Sequence, residues 1–323
     1  MKFIYYHLLL IVSKSSILVG GQAVIEGVMM RVPGAYATSV RDPNGYIKSK
    51  RHKFISITDK HPFLKYPILR GIIGLYESMK IGFSTLEWSI QINTPEDIKK
   101  PNKFADFFLT VFSIFIALGL FFATPIALTT WLFEKNDNAF IFNLISGIIR
   151  IMVFLIYLLL ISFMKDIFRL FQYHGAEHKT VYNFESGKKL SIANAQEFPT
   201  QHPRCGTSFI FILMMVAIVS FAILDSVILY FGYELTIFKR LLFHIPFIPI
   251  VAGMGYEFLK ITAKHRNNLV FKLFSMPGIW LQNITTKQPD DEQIQVALHA
   301  LESAFGTKLG DYKGKTFTAE AIG

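Results

Sequence analysis

Four stretches of the chain run nearly free of charge for the 20 or so residues that a helix needs to cross a bilayer core: Phe104 to Phe133, Phe140 to Met164, Ser208 to Phe231 and Leu241 to Leu259. They predict four transmembrane helices. Upstream the rhythm is different. From Gly20 to about Thr58 side-chain character alternates around Asp-Pro-Asn-Gly, where proline suits the first turn position and glycine one needing positive φ, so a hairpin in a small β subdomain is expected. Phe63 to Ile90 is apolar but carries Lys65, Arg70, Glu77, Lys80 and Glu87. These charges predict a helix lying at the membrane surface or packed on the β subdomain, not a span. Near the other end, Asp290 and Gln293 form a capping pair, and Ile294, Leu298, Leu301 and Phe305 make one apolar stripe. This is an amphipathic helix for packing on the cytoplasmic domain or for docking a partner protein.

The fold class that follows is a mainly α membrane protein with about four transmembrane helices, a small N-terminal β-containing cytoplasmic subdomain and a C-terminal amphipathic helix. Its parts are an N-terminal extension (1–19), the β subdomain (20–60), an interfacial or packed helix with its linker (61–103), the transmembrane region (104–260) with a loop at 165–207, and a tail (261–323). The extension, "MKFIYYHLLLIV" at its start, resembles the front of a signal peptide, but Lys14 interrupts it and no cleavage pattern follows. An interfacial helix or an overlong start is the favoured reading.

Composition agrees with the membrane class: 52% of the 323 residues are hydrophobic, 32 are phenylalanine and only 17% are charged. The net charge of +10 does not point to nucleic acid, because the basic residues flank apolar runs and no recognition motif for RNA or DNA is present. It sets orientation instead. Lys99, Lys100 and Lys103 precede the first span, Lys165, Arg169, Lys179, Lys188, Lys189 and Arg204 fill the 165–207 loop, and Lys260, Lys264 and Arg266 follow the fourth. This predicts a multi-pass protein of the inner (cytoplasmic) membrane, with both termini and that loop in the cytoplasm. "EKNDNA" is neutral in this count, and Lys239 and Arg240 weigh mildly against it.

Candidate chemistry gathers in two places. "YHGAEHKTVYNFESG" holds His174 and His178 one helical turn apart with Glu177 beside them, on a helix expected to continue the second span until Gly187 stops it. "TQHPRCGTSF" holds His202 and the single cysteine, Cys205, with Pro203 suited to the first turn of the third span. Helix N-termini favour thiolate, the metal-binding form. Antiparallel pairing of spans two and three brings the two pairs together, so His174, His178, His202 and Cys205 are candidate ligands of a divalent transition metal, zinc first. The competing reading is a polar cluster without metal. "HGAEH" also fits the H-x-x-E-H pattern, with Glu177 as a base.

In "GGQAVIEGVMMR", Glu26 sits among apolar residues and is read as ligand, general base or ion-pair partner of Arg31, and the paired glycines as a tight turn. Inside the spans, Arg150 and Asp225 lie at similar depth and are expected to pair, with His244 near enough to join them.

The motifs "GGQAVIEGVMMR", "HGAEHKTVYNFESG", "HPRCGTSF" and "PGIWLQNITTKQPDDEQIQVAL" resemble, in order, those of the YqhQ family of bacterial membrane proteins. The likeness runs from Ile17 to about Ala304. It implies a metal-dependent enzyme but no particular substrate. Two classes of function remain. One is a membrane-bound metal-dependent enzyme, of hydrolytic type, with Glu177 or Glu26 as general base at the cytoplasmic membrane surface. The other is a non-enzymatic scaffold or regulator held by a structural metal or polar cluster. The partners expected are the lipid bilayer and a protein at the C-terminal helix, with no nucleic acid.

Overall fold

A computed structural model describes residues 19–95, 103–133, 138–203, 205–265, 268–312 and 314–317. The expectations for residues before 19, for Lys99, Lys100, Arg204 and Arg266, and for residues 134–137 lie outside them.

Four antiparallel strands, β1 (Gly20–Val24), β2 (Gly27–Val32), β3 (Ala35–Arg41) and β4 (Ile47–Lys53), pair in chain order as a meander. The expected hairpin is present. Asp42 accepts from the backbone N–H of Asn44 and Tyr46, and Gly45 takes a φ of +86°. Gly20 and Gly21 do not make a turn, however; they lie in β1, where a Cβ on Gly21 would collide with the Met29 carbonyl. Close strand approach, rather than positive φ, is what excludes a side chain there. The turn between β1 and β2 falls instead at Ile25 and Glu26, and Glu26 takes a φ of +52°.

After α1 (Ile57–Lys60) and a 3-10 turn (Pro62–Lys65), α2 (Leu69–Asn93) packs on β1: Gln22 donates to the Gly82 carbonyl and to Thr85, and the Ile25 N–H to Ser89. One face of this helix thus meets the β subdomain. The sheet also meets the last helix of the chain, described below.

The first span is one helix with a flaw. α3 (Lys103–Leu118) passes through a π-helical turn (Gly119–Ala123) into α4 (Thr124–Leu132). Pro125 has no N–H to offer the Phe121 carbonyl, and Arg150 of the second span donates to that carbonyl at 3.0 Å. The second span, α5 (Ala139–Ser162), does not run on as expected. Met164 is extended (φ −73°, ψ 131°) and a separate helix, α6 (Lys165–Glu185), begins after it, to be stopped by Gly187 at φ +71°. Apolar residues give way to Lys165 and Asp166 at this break, so the chain re-orients where it would leave hydrocarbon. After α7 (Ile192–Gln196), α8 (Gly206–Tyr230) and α9 (Ile237–Lys264) complete the set of four helices long and apolar enough to cross a membrane.

Arg150 does not pair with Asp225. Asp225 is bonded by Arg240, by His244 Nε2 at 2.8 Å and by Asn143 at 2.7 Å, all buried. Arg150 instead lies over the Phe122 ring at 4.8 Å. Arg240 is thus a buried partner and not a loop charge.

The tail holds a helix that the hydropathy pattern did not single out, α10 (Leu269–Thr285), lying across α8 where Gly278 meets Ser208. α11 (Asp291–Phe305) then begins with the expected capping box and buries Ile294, Leu298, Leu301 and Phe305 against the sheet and α6. The stripe offered to the domain or to a partner is covered by the domain.

Candidate metal centre

α6 is the spine of the site. His174 and His178 project from consecutive turns with ring centroids 4.5 Å apart. Gly175 between them is required by packing, since a Cβ there would collide with the Lys287 carbonyl. That close crossing lays residues 285–289 along α6, fixed by the Lys287 N–H donating to the Phe171 carbonyl at 2.9 Å. It also brings the Thr285 carbonyl to His174 Nδ1 at 2.8 Å, while the Thr200 carbonyl meets His178 Nδ1. A carbonyl oxygen only accepts, so both imidazoles carry a hydrogen on Nδ1, which makes Nε2 the atom left to bind a cation.

Cys205 lies beside those rings. Its Sγ is 3.2 Å from His174 Nε2, and ligand atoms of His174, His178 and Cys205 all lie within 4.8 Å of one another. Cys205 is the N-cap of α8, accepting from the Thr207 hydroxyl at 3.2 Å and its N–H at 3.5 Å. The expected helix start at Pro203 is therefore early: His202 and Pro203 form the turn before α8, closed by the Cys205 N–H donating to the His202 carbonyl.

His202 does not join the three. Gln282 of α10 grips its backbone twice, accepting from the His202 N–H at 2.7 Å and donating to its carbonyl at 2.9 Å. Its ring packs on Tyr182 at 4.5 Å and on His178 at 5.5 Å, with Nε2 3.6 Å from Glu185. Burial pushes the His202 imidazole down to about 4 against the pull of Glu177, and holds His178 below its usual value against the Cys205 sulfur. Both rings are neutral at physiological pH. Glu177 is buried beside them, its Oε2 3.5 Å from His178 Nε2 and its stem under β1, where a Gly21 side chain would reach Glu177 Cγ.

Glu26 lies in a different setting. Its carboxylate takes both Arg169, with Nη2 at 2.6 Å, and the Tyr173 hydroxyl at 3.2 Å. Arg31, the partner expected from sequence, stacks on Phe54 at 4.3 Å. An ion pair is present, but with an arginine 143 positions away.

Several residues that build the site had no signal as site residues. Thr200 and Thr285 contribute only backbone oxygen. Lys179, counted as a loop charge, is buried and donates to the Gln196 and Phe198 carbonyls at 3.0 and 2.6 Å, holding the segment that carries Thr200. Gln282 was visible only as part of the motif "PGIWLQNITTKQ".

The donor set suits a borderline cation such as zinc: two imidazoles oriented through Nδ1 by backbone carbonyls, and one thiol at a helix start. His174 and Cys205 are partly exposed and His178 is buried, so the donors face outward from a packed floor.

A family described as "Protein of unknown function (DUF1385)" matches residues 66–307. The chain is 31% identical over 302 residues to "Uncharacterized protein YqhQ" of Bacillus subtilis (strain 168), covering 87% of this chain and 90% of that protein. No solved structure matches.

Proposed function

The chain belongs to the DUF1385 family, and from that premise we propose that it is a membrane-bound metal-dependent enzyme of hydrolytic class, with its site at the cytoplasmic face of the inner membrane. The observation that carries this reading is the commitment of both Nδ1 atoms to backbone carbonyls, which leaves Nε2 of each ring as its donor in a cluster where ligand atoms of His174, His178 and Cys205 lie within 4.8 Å of one another. His174, His178 and Cys205 would hold the ion. A zinc ion held there would supply Lewis acidity and would activate a water as nucleophile by lowering its pKa to about 7.

The chain's own residues supply the rest. Glu177, whose Oε2 is buried beside His178, would be the base that accepts a proton, a role its shelter from bulk water supports. Gln282 fixes the His202 turn behind the rings, and Lys179 fixes the stretch of backbone bearing Thr200. Glu26 has no part in this reading, because Arg169 and Tyr173 occupy its carboxylate.

The second reading is a scaffold in which the same donors pin α6 to α8; the hold of α10 on both the His174 ring and the His202 turn favours it. Coordination number separates the two: three protein donors plus a light-atom ligand fit catalysis, four protein donors a structural clip. The test is metal analysis of detergent-purified protein, followed by X-ray absorption at the bound metal's edge. About one zinc per chain is expected, lost in His174→Ala, His178→Ala and Cys205→Ser and kept in Glu177→Gln. A wild-type chain that neither retains nor takes up zinc, cobalt or manganese would sink both metal readings.

A further inference from the structure

We propose that α2 is a bilayer-contact helix, seated lengthwise in the headgroup layer with one face on lipid and the other under the β-sheet. This stands apart from the metal centre. Along the packed face, Gly71, Glu77, Ile81, Thr85 and Ser89 are buried. Along the other, Leu69, Tyr76, Met79, Phe83 and Ile90 are between 41% and 66% exposed. Four of these five recur every seven residues, so they form one stripe, about 30 Å long at 1.5 Å per residue. Lys80 and Glu87 flank it, where long polar side chains at an interface reach back to water.

What identifies lipid as the occupant is where the two ends of the helix are tied. At the start, Arg70 forms a two-pronged ion pair with Glu257, and Gly71 packs on Gly253, where a Cβ would stand 3.0 Å from the Gly253 Cα. Glu257 lies five residues and Gly253 nine residues before the end of the span Ile237–Thr262. Toward the other end, Ser89 accepts from the Ile25 N–H in the β1–β2 turn, and the next residue, Glu26, is bound by Arg169. Arg169 is in the first turns of α6, just after the second span ends at Ser162. The Glu257 anchor thus lies five residues inside the end of one span and the Arg169 anchor seven residues beyond the end of another, so the two ends of α2 are held to either side of the level at which the spans end. The sheet takes up the packed face through Gln22 and Ile25, which leaves the apolar stripe to the layer that the anchors mark.

Tryptophan depth measurements test this in the full chain in nanodiscs. Trp88, Trp131 and Trp280 are replaced by phenylalanine, and a single reporter is introduced as Phe83→Trp or, as a control at the exposed tip of the β3–β4 turn, Tyr46→Trp. Brominated phosphatidylcholine is expected to quench the Phe83→Trp reporter severalfold more than the control, with acrylamide showing the reverse order. Strong acrylamide quenching without lipid quenching would overturn the proposal, as would protection from both, which would mean a second copy or another protein on the stripe. Should the tryptophan-free background not fold, the wild-type chain in nanodiscs with diazirine-bearing phosphatidylcholine gives the same decision. Adducts on the peptide spanning residues 76–83 support it, and their absence beside labelled spans refutes it.

Discussion

Gln282 shows how a single side chain positions the centre without belonging to it. Its amide closes two hydrogen bonds on the buried backbone of His202, so removing it leaves a donor and an acceptor unmade, at about 1–3 kcal/mol each. Gln282→Leu should lower the midpoint of thermal unfolding by several degrees in a detergent-based fluorescence assay, whereas a change on the exposed side of α10, such as Trp280→Phe, should not; an unchanged midpoint in Gln282→Leu would reject the grip. At this scale the sequence was informative where side chains meet one helical turn apart, as with His174 and His178. It misled where spacing stood in for geometry. His202 and Cys205 are three residues apart, yet the turn that closes between them and the capping role of Cys205 put one ring behind the cluster and the sulfur inside it. Glu26 and Arg31 are five apart, but Glu26 is in a turn and Arg31 well along β2, so a long-range arginine wins. The carbonyls of Thr200 and Thr285 left no trace at all, because any residue offers the same oxygen.

Among the elements, the polar contacts between spans give two sharper expectations. Asp225, Arg240, His244 and Asn143 form one buried group joining α5, α8 and α9. Asp225→Asn or Arg240→Met alone strands a charge and should destabilise the bundle more than the two together, a non-additivity that a double-mutant cycle on unfolding temperature measures. Additive losses would show that the pair is not coupled. Pro125 and Arg150 are coupled differently. In Pro125→Ala the helix regains an N–H for the Phe121 carbonyl, so Arg150→Met should cost less stability in that background than in the natural chain. Equal costs in both would disprove the exchange of donors. Hydropathy located the spans because twenty apolar residues have no other stable setting, but the break at residues 163–164 carried no proline or glycine, and α10 has too much polarity in its second half to register as a span.

At the scale of the molecule, the spans and their order, the N-terminal sheet and the C-terminal helix were legible, and the way they join with α6 was not. Strands from residues 20–53, α6 from the middle and α11 from 291–305 build one core, a union of distant segments that no local pattern announces. Orientation remains the prediction with the widest reach. Lys188→Cys, in the exposed part of the 165–207 loop, should react with a membrane-impermeant maleimide only after cells are opened, compared with the unsubstituted chain; labelling of intact cells would invert the whole arrangement. The hydrogen bond from Arg150 to Phe121 has a bearing on biogenesis as well. A guanidinium in mid-helix opposes release of an isolated segment into lipid by about 2.5–3.5 kcal/mol on translocon scales, and its acceptor was synthesised only 29 residues earlier. The first two segments are therefore expected to insert together as a hairpin, and crosslinking of the first segment alone to lipid before residue 150 has been synthesised would contradict this.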